Sequence, residues 1–312
     1  MLQTMMMMKM MNPVMIMMMM SCNNWVSMMV MSELMFLTNM MMMNFKKDMK
    51  ELMMTFFIIN SILSSSMMLM IMMENILMMN KMNIMKMTML MMLWMKMGMF
   101  PFNWWMMMMG KMNSWTNLFK MNFVLKIPSM IIMMMMNFME TKLMLLMMMI
   151  PMISMNLTNL KKMFIIMSIM NMYWFIMMMK NNYTLMVMAM SIYMTTNLFI
   201  YKTMEWNKTN FLNQMNSLNK KVKVFLIVTV MNLMNMPPLN MFVSKWMMIK
   251  SIESSYIIIA MLMLSNALML VNYFKLMLTS ISEHNMKSKS NYKKKISLNN
   301  MMNFTILNMM ML

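Results

Sequence analysis

The sequence predicts an all-α polytopic membrane protein of about eleven transmembrane helices, two of them broken. Three observations carry that prediction. The chain of 312 residues is 62% hydrophobic and 11% charged, a balance that excludes disorder. Its apolar runs recur at about 20 residues, the length that crosses roughly 30 Å of hydrocarbon at about 1.5 Å per residue. Its lysines fall between those runs in two unequal sets, as they do when a protein has a fixed orientation across a bilayer. Helices are expected because only helices or closed barrels satisfy every backbone polar group in lipid.

The spans read, in order, near residues 3–21, 25–44, 52–79, 85–109, 115–136, 138–156, 160–179, 183–201, 222–248, 253–274 and 296–312. The largest polar segments, Tyr201 to Lys223 and Lys275 to Lys295, are too short to fold alone. One transmembrane domain over residues 1–312 is therefore expected. The first apolar run reads directly as a span rather than as a cleavable targeting peptide.

Mutation pressure shows in the residue counts. The chain has 86 Met, 2 Gly and 6 Pro, and all 27 of its basic residues are Lys. Gly, Pro and most Arg codons are GC-rich, whereas Lys, Asn, Ile, Phe and ATA-encoded Met are AT-rich. An AT-rich gene translated with a mitochondrial code accounts for this, which predicts the mitochondrial inner membrane. Many methionines then stand where Leu, Ile, Val or Ala would serve, since Met is flexible and apolar. A Met-rich copper site is not expected. Cys22 is the single cysteine and His284 the single histidine, which excludes an internal disulfide, a Cys-ligated cluster and a His-based metal site. No cofactor is expected in this chain.

Loop lysines test the span order. Eighteen fall on one side, and Lys81, Lys86, Lys142, Lys180 and Lys250 on the other. The positive-inside rule puts the larger set in the matrix, with the amino terminus. The net charge of +19 lies in short loops beside spans, so anionic phospholipids such as cardiolipin are the expected partners and nucleic acid is not.

Some charges fall inside spans. Lys9 lies close enough to a helix end to snorkel. Glu33, in "MVMSELMFL", and Lys96, Lys126 and Lys245 do not. An ionisable group at mid-membrane costs about 2.5–3.5 kcal/mol on insertion scales and usually faces a bundle interior or a wet cavity. Four such groups in different spans point to an ion path rather than to isolated ion pairs. A lysine can gain and lose a proton as its surroundings change, which arginine cannot do near neutral pH. In "KMGMFPFNWW", Gly98 and Pro101 beside Lys96 predict a broken span. In "NMPPLNMFVSKWMMIK", Pro237 and Pro238 precede Lys245 by about two helical turns and predict another. Broken helices around a buried charge are a transporter device. Pro128 after Lys126 is a weaker form of the pattern.

These segments resemble the antiporter-like membrane subunits of respiratory complex I. "KMGMFPFNWW" is similar to their K-x-G-x-x-P-F-H-x-W segment, and "MNMPPLNMFVSKW" to their G-L-P-P-x-x-G-F-x-x-K-W segment. "SELMFLTNM" matches the span that carries the family's membrane glutamate, and "LKIP" after "SWTNLF" resembles a Q-K-I-A-P segment of one member. The resemblance covers about residues 25–250 and implies a proton-translocating module in a membrane arm, driven by quinone reduction elsewhere in the complex. It implies that Glu33 pairs with Lys96, that Lys126 lies on a central hydrophilic axis, and that Lys245 lies near the exit or the link to a neighbouring antiporter-like subunit. NADH, FMN, iron–sulfur clusters and ubiquinone would belong to other subunits.

The chain departs from the pattern at Asn103, where the family has His. It departs again at Asn235, Met236 and Met241 around the double proline, and at Ser244 before the last lysine. Those departures motivate a second reading, a structural spacer that has lost conduction. A stand-alone Na⁺/H⁺ antiporter is the third.

Overall fold

The computed structural model describes residues 2–22, 24–43, 50–77, 82–110, 114–136, 149–179, 182–251 and 256–281. Among them the regular elements are helical, with one isolated antiparallel bridge between Asn159 and Phe211. The span near 296–312, most of that near 138–156, His284 and the loop lysines Lys46, Lys47, Lys81, Lys111, Lys142 and Lys180 lie outside the described residues. Five helical stretches among the described residues are long and apolar enough to cross a membrane: Lys50–Met73, Trp115–Met136, Leu160–Met179, Tyr183–Trp206 and Ile259–Ile281. The chain forms two compact units, Met1–Lys142 and Leu143–Leu312.

The first unit contains α1 (Leu2–Ser21), α2 (Trp25–Met41), α3 (Lys50–Leu77), α4 (Met82–Met97), α5 (Trp104–Met109), α6 (Trp115–Phe119), a π-helical turn (Lys120–Val124) and α7 (Lys126–Met136). Helix α7 packs against α1, α2 and α4, which makes it the centre of the unit. Helix α3 shows how a lipid-facing helix is built here. Phe56, Asn60, Ser64, Met67 and Ile71 are buried, at helical spacing, while Met54, Ile58, Ile62 and Leu69 are exposed. Apolar burial between helices is a weak drive in lipid, so close packing and polar contacts hold the helices together. One such contact joins α1 to α2, where Asn12 Nδ2 donates to Asn39 Oδ1 at 3.0 Å.

The second unit contains α8 (Met149–Ser154), α9 (Leu160–Met179), α10 (Tyr183–Trp206), a 3₁₀ turn (Leu212–Ser217), α11 (Lys220–Leu233), α12 (Asn240–Ser251) and α13 (Tyr256–Ile281). Helix α9 is apolar on all sides and is buried along nearly its whole length, as a central helix must be. It packs against α8, α10, α12 and α13. Helix α10 continues past the expected end at residue 201 to Trp206. Thr203 and Met204 are buried in its last turns, so packing extends the helix where hydropathy falls.

Two expected spans are divided. The run near 85–109 forms α4 and α5, and that near 222–248 forms α11 and α12. Both first halves end in the same way. After α4, Gly98 adopts φ +65°, its N–H bonds to Met95 O at 3.0 Å, and Met99 N–H bonds to Trp94 O at 3.0 Å. After α11, Asn235 adopts φ +61°, its N–H bonds to Asn232 O at 3.1 Å, and Met236 N–H bonds to Met231 O at 3.3 Å. These are Schellman caps, which satisfy carbonyls that a helix end leaves free. Asn235 thus takes the left-handed role that a glycine commonly plays, which its short polar side chain tolerates. Each break is also bridged by one side chain. Trp105 Nε1 donates to Met95 O at 3.1 Å, and Asn232 Oδ1 accepts from Met241 N–H at 3.2 Å. Lys126 sits differently. The expected break near Pro128 is a π turn, closed by Leu125 N–H to Lys120 O at 3.1 Å. Widening the turn accommodates the missing donor and the bulky ring of Pro128 without ending the helix.

A Cβ added at Gly98 would lie 2.7 Å from Met106 Cγ and 3.0 Å from Trp105 Cζ2. Gly98→Ala is therefore expected to destabilise the first unit by about 1–2 kcal/mol from the left-handed backbone alone, and by more from the clash. Asn235→Gly should leave stability nearly unchanged. Thermal melting of the detergent-solubilised protein checks both, and an unshifted melt for Gly98→Ala would refute this account of the break.

Candidate functional site

Glu33 lies on α2, one residue after buried Ser32. Lys96 lies in the last turn of α4, where the helix dipole favours a cation. The Schellman cap at Gly98 fixes that helix end, and Lys96 Nζ meets Glu33 Oε1 at 2.8 Å. The lysine side chain is 8% exposed and the carboxylate 30%, so one partner is nearly dry while the other still reaches the surface. A buried ion pair is weak evidence for stability, because desolvation offsets much of the attraction.

Lys96 borders a partly enclosed cavity. Lys96, Ser32, Asn60, Trp105 and Lys126 line it, together with Phe36, Phe56, Met106, Met121, Leu125 and Pro128. The space open to the centre of a water molecule is about 20 Å³. The aromatic wall is continuous: Phe36 meets Phe56 edge-on at 5.3 Å, and Phe56 stacks on Trp105 at 5.1 Å. Lys126, the first residue of α7, is 1% exposed, and its Nζ has no hydrogen-bond partner among the described residues. Lys96 and Lys126 thus line one cavity from α4 and α7, and Glu33 of α2 is tied to it through its ion pair with Lys96.

Lys245 belongs to the second unit, on α12. Its Nζ donates to Asn266 Oδ1 of α13 at 3.0 Å and lies 5.3 Å from the Trp174 ring centroid on α9. Among the described residues, an amide oxygen and an aromatic face rather than a carboxylate meet this amine. Pro101 lies in the α4–α5 link, and Pro237 and Pro238 in the α11–α12 link. Asn103, at the family's His position, is buried at the N-cap of α5 and makes no side-chain cap bond. The side chain of Lys9 lies outside the described residues. Lys120, counted among the loop lysines, lies in the π turn and donates to Met42 O at the end of α2 at 2.7 Å. Asn60, Trp174 and Asn266 escaped the sequence reading. Only the helical period of α3 marked Asn60 as inward-facing, and nothing local marked the other two as neighbours of a lysine.

No protein-family model and no curated protein matches the sequence. Solved structures do match the fold. A chain of respiratory complex I from Thermus thermophilus, solved with bound aureothin, superposes with TM-score 0.74 at 12% identity, over 83% of this chain and 66% of that one. A chain of the membrane-bound sulfane sulfur reductase, an archaeal respiratory membrane complex, superposes with TM-score 0.70 at 14% identity, over 91% and 67%. This chain has the fold of membrane subunits of respiratory complexes. It spans about two thirds of the length of each solved chain.

The pair can be tested by itself. Glu33→Gln leaves the nearly dry Lys96 without its counter-charge, and a loss of about 1–3 kcal/mol is expected. Adding Lys96→Met should recover part of it, because the unpaired charge is then gone as well. A double-mutant cycle on melting temperatures reads the coupling, and strictly additive effects would contradict it.

Proposed function

We propose that this chain is a proton-translocating core subunit of the membrane arm of respiratory complex I (NADH:ubiquinone oxidoreductase), corresponding to subunit 2 of animal mitochondria. The observation that carries the reading is that Lys96, paired with Glu33, and Lys126 line one cavity. The fold likeness supports the family. Motif order and spacing support subunit 2.

On this reading about eleven helices cross the mitochondrial inner membrane, with the amino terminus in the matrix, as the lysine partition favours. The partners are other membrane-arm subunits, neighbouring antiporter-like subunits among them, and phospholipids such as cardiolipin. NADH, FMN, iron–sulfur clusters and ubiquinone act elsewhere in the complex, and this chain carries no redox step. The closed pair holds a proton on Lys96. When quinone reduction drives the pair apart, that proton passes through the cavity to Lys126. Lys245, by its motif, serves the exit or the link to the next subunit. Gly98 and Asn235 keep the two breaks open, and Lys96 lies in the helical turn that the first break ends.

Lys126→Met in the assembled complex is the test. Proton transport per NADH oxidised should fall by the share of one module, while the complex still assembles. Undiminished transport would overturn the role and favour the structural spacer.

A further inference from the structure

We propose that Asn60 is a positioning residue for proton transfer to Lys126, and that the two side chains hold one water molecule between them in the cavity beside the Glu33–Lys96 pair. The inference rests on the proton-translocating reading and deepens it.

Asn60 stands out on α3. It is 6% exposed within an otherwise mostly apolar buried stripe, and its Nδ2 has no hydrogen-bond partner among the described residues. A buried amide left in that condition costs about 1–3 kcal/mol, so an unsatisfied donor there calls for an explanation. Lys126 Nζ is the second unpartnered buried nitrogen on the same cavity wall. Two unsatisfied groups on one cavity are answered together by one small polar molecule.

The space fits that molecule. About 20 Å³ is open to the centre of a water, against the roughly 10–15 Å³ that one water requires. A buried water also needs about 2–4 polar partners. Asn60 and Lys126 supply two. Ser32 Oγ already donates to Met29 O at 2.7 Å and keeps lone pairs to accept with. Lys96 Nζ, bonded to Glu33, keeps further donors.

An amide suits the position because it both donates and accepts and does not titrate. It can orient the water whichever protonation state Lys126 is in. The transfer then balances. An N–H bond of Lys96 breaks as its proton joins the water oxygen, and an O–H bond of the same water breaks as its proton joins neutral Lys126. One proton moves and the water is regenerated.

Three variants in the assembled complex test this: Lys126→Met, Asn60→Leu, which keeps size and removes polarity, and Asn60→Ser, which keeps a donor and acceptor. Asn60→Leu should reproduce the loss of proton transport seen with Lys126→Met, whereas Asn60→Ser should retain most transport. If Lys126→Met impairs transport and Asn60→Leu does not, the role of Asn60 falls and the wider reading stands. If Lys126→Met has no effect, both fall. Equal loss with Leu and Ser would make Asn60 a packing residue and overturn the proposal. Should Asn60→Leu fail to assemble, a high-resolution map of the unaltered complex decides. An ordered water within about 3 Å of both Asn60 and Lys126 Nζ supports the proposal, and a dry cavity overturns it.

Discussion

Hydrocarbon offers no partner to a backbone carbonyl, and this chain ends helices inside two of its apolar spans. Each end must therefore satisfy its own last turn. Gly98 and Asn235 do so by the same pair of backbone bonds, and a side chain from the neighbouring residues closes each gap. Without those caps the breaks would leave bare carbonyls in a low-dielectric interior. With them, α4 ends one turn beyond Trp94, Lys96 is presented at a fixed helix end, and the ion pair with Glu33 acquires its geometry. The cavity follows from the same constraint, because Trp105 is held against Met95 O and forms part of the wall.

Lys96, Lys126 and Lys245 are held in three different ways. Lys96 has a carboxylate, Lys245 an amide oxygen and an indole face, and Lys126 a cavity. The carboxylate holds a charged group strongly, whereas the cavity has room for a water-sized guest beside Lys126. The proposed relay depends on that inequality.

Methionine makes an interior of this composition workable. Unbranched thioethers fill irregular gaps that a glycine-poor, alanine-poor chain would otherwise leave. Their sulfurs also accept weak hydrogen bonds, as Met204 Sδ does from Thr209 at 3.0 Å and Met92 Sδ from Ser66 at 3.4 Å. Gly98 is the contrast. Met106 and Trp105 crowd it so closely that no side chain fits, and its backbone is left-handed.

The helical class and the burial of Lys126 and Lys245 were legible in the sequence, because apolar run length and the cost of a charge in lipid are local properties, whereas Lys161, read as a loop lysine, is buried. The sites of both breaks were legible too, from Gly98 with Pro101 and from Pro237 with Pro238. Tertiary structure decided the rest. That Asn235 stands in for glycine depends on a backbone angle. That Pro128 widens a turn instead of ending a helix depends on how α7 packs at the centre of its unit. That Asn60 shares a cavity with Lys126, and that Trp174 and Asn266 flank Lys245, depends on which helix faces meet. Residues distant in sequence become neighbours only through packing, and an amide or an indole in a greasy helix carries no mark of the lysine it will face.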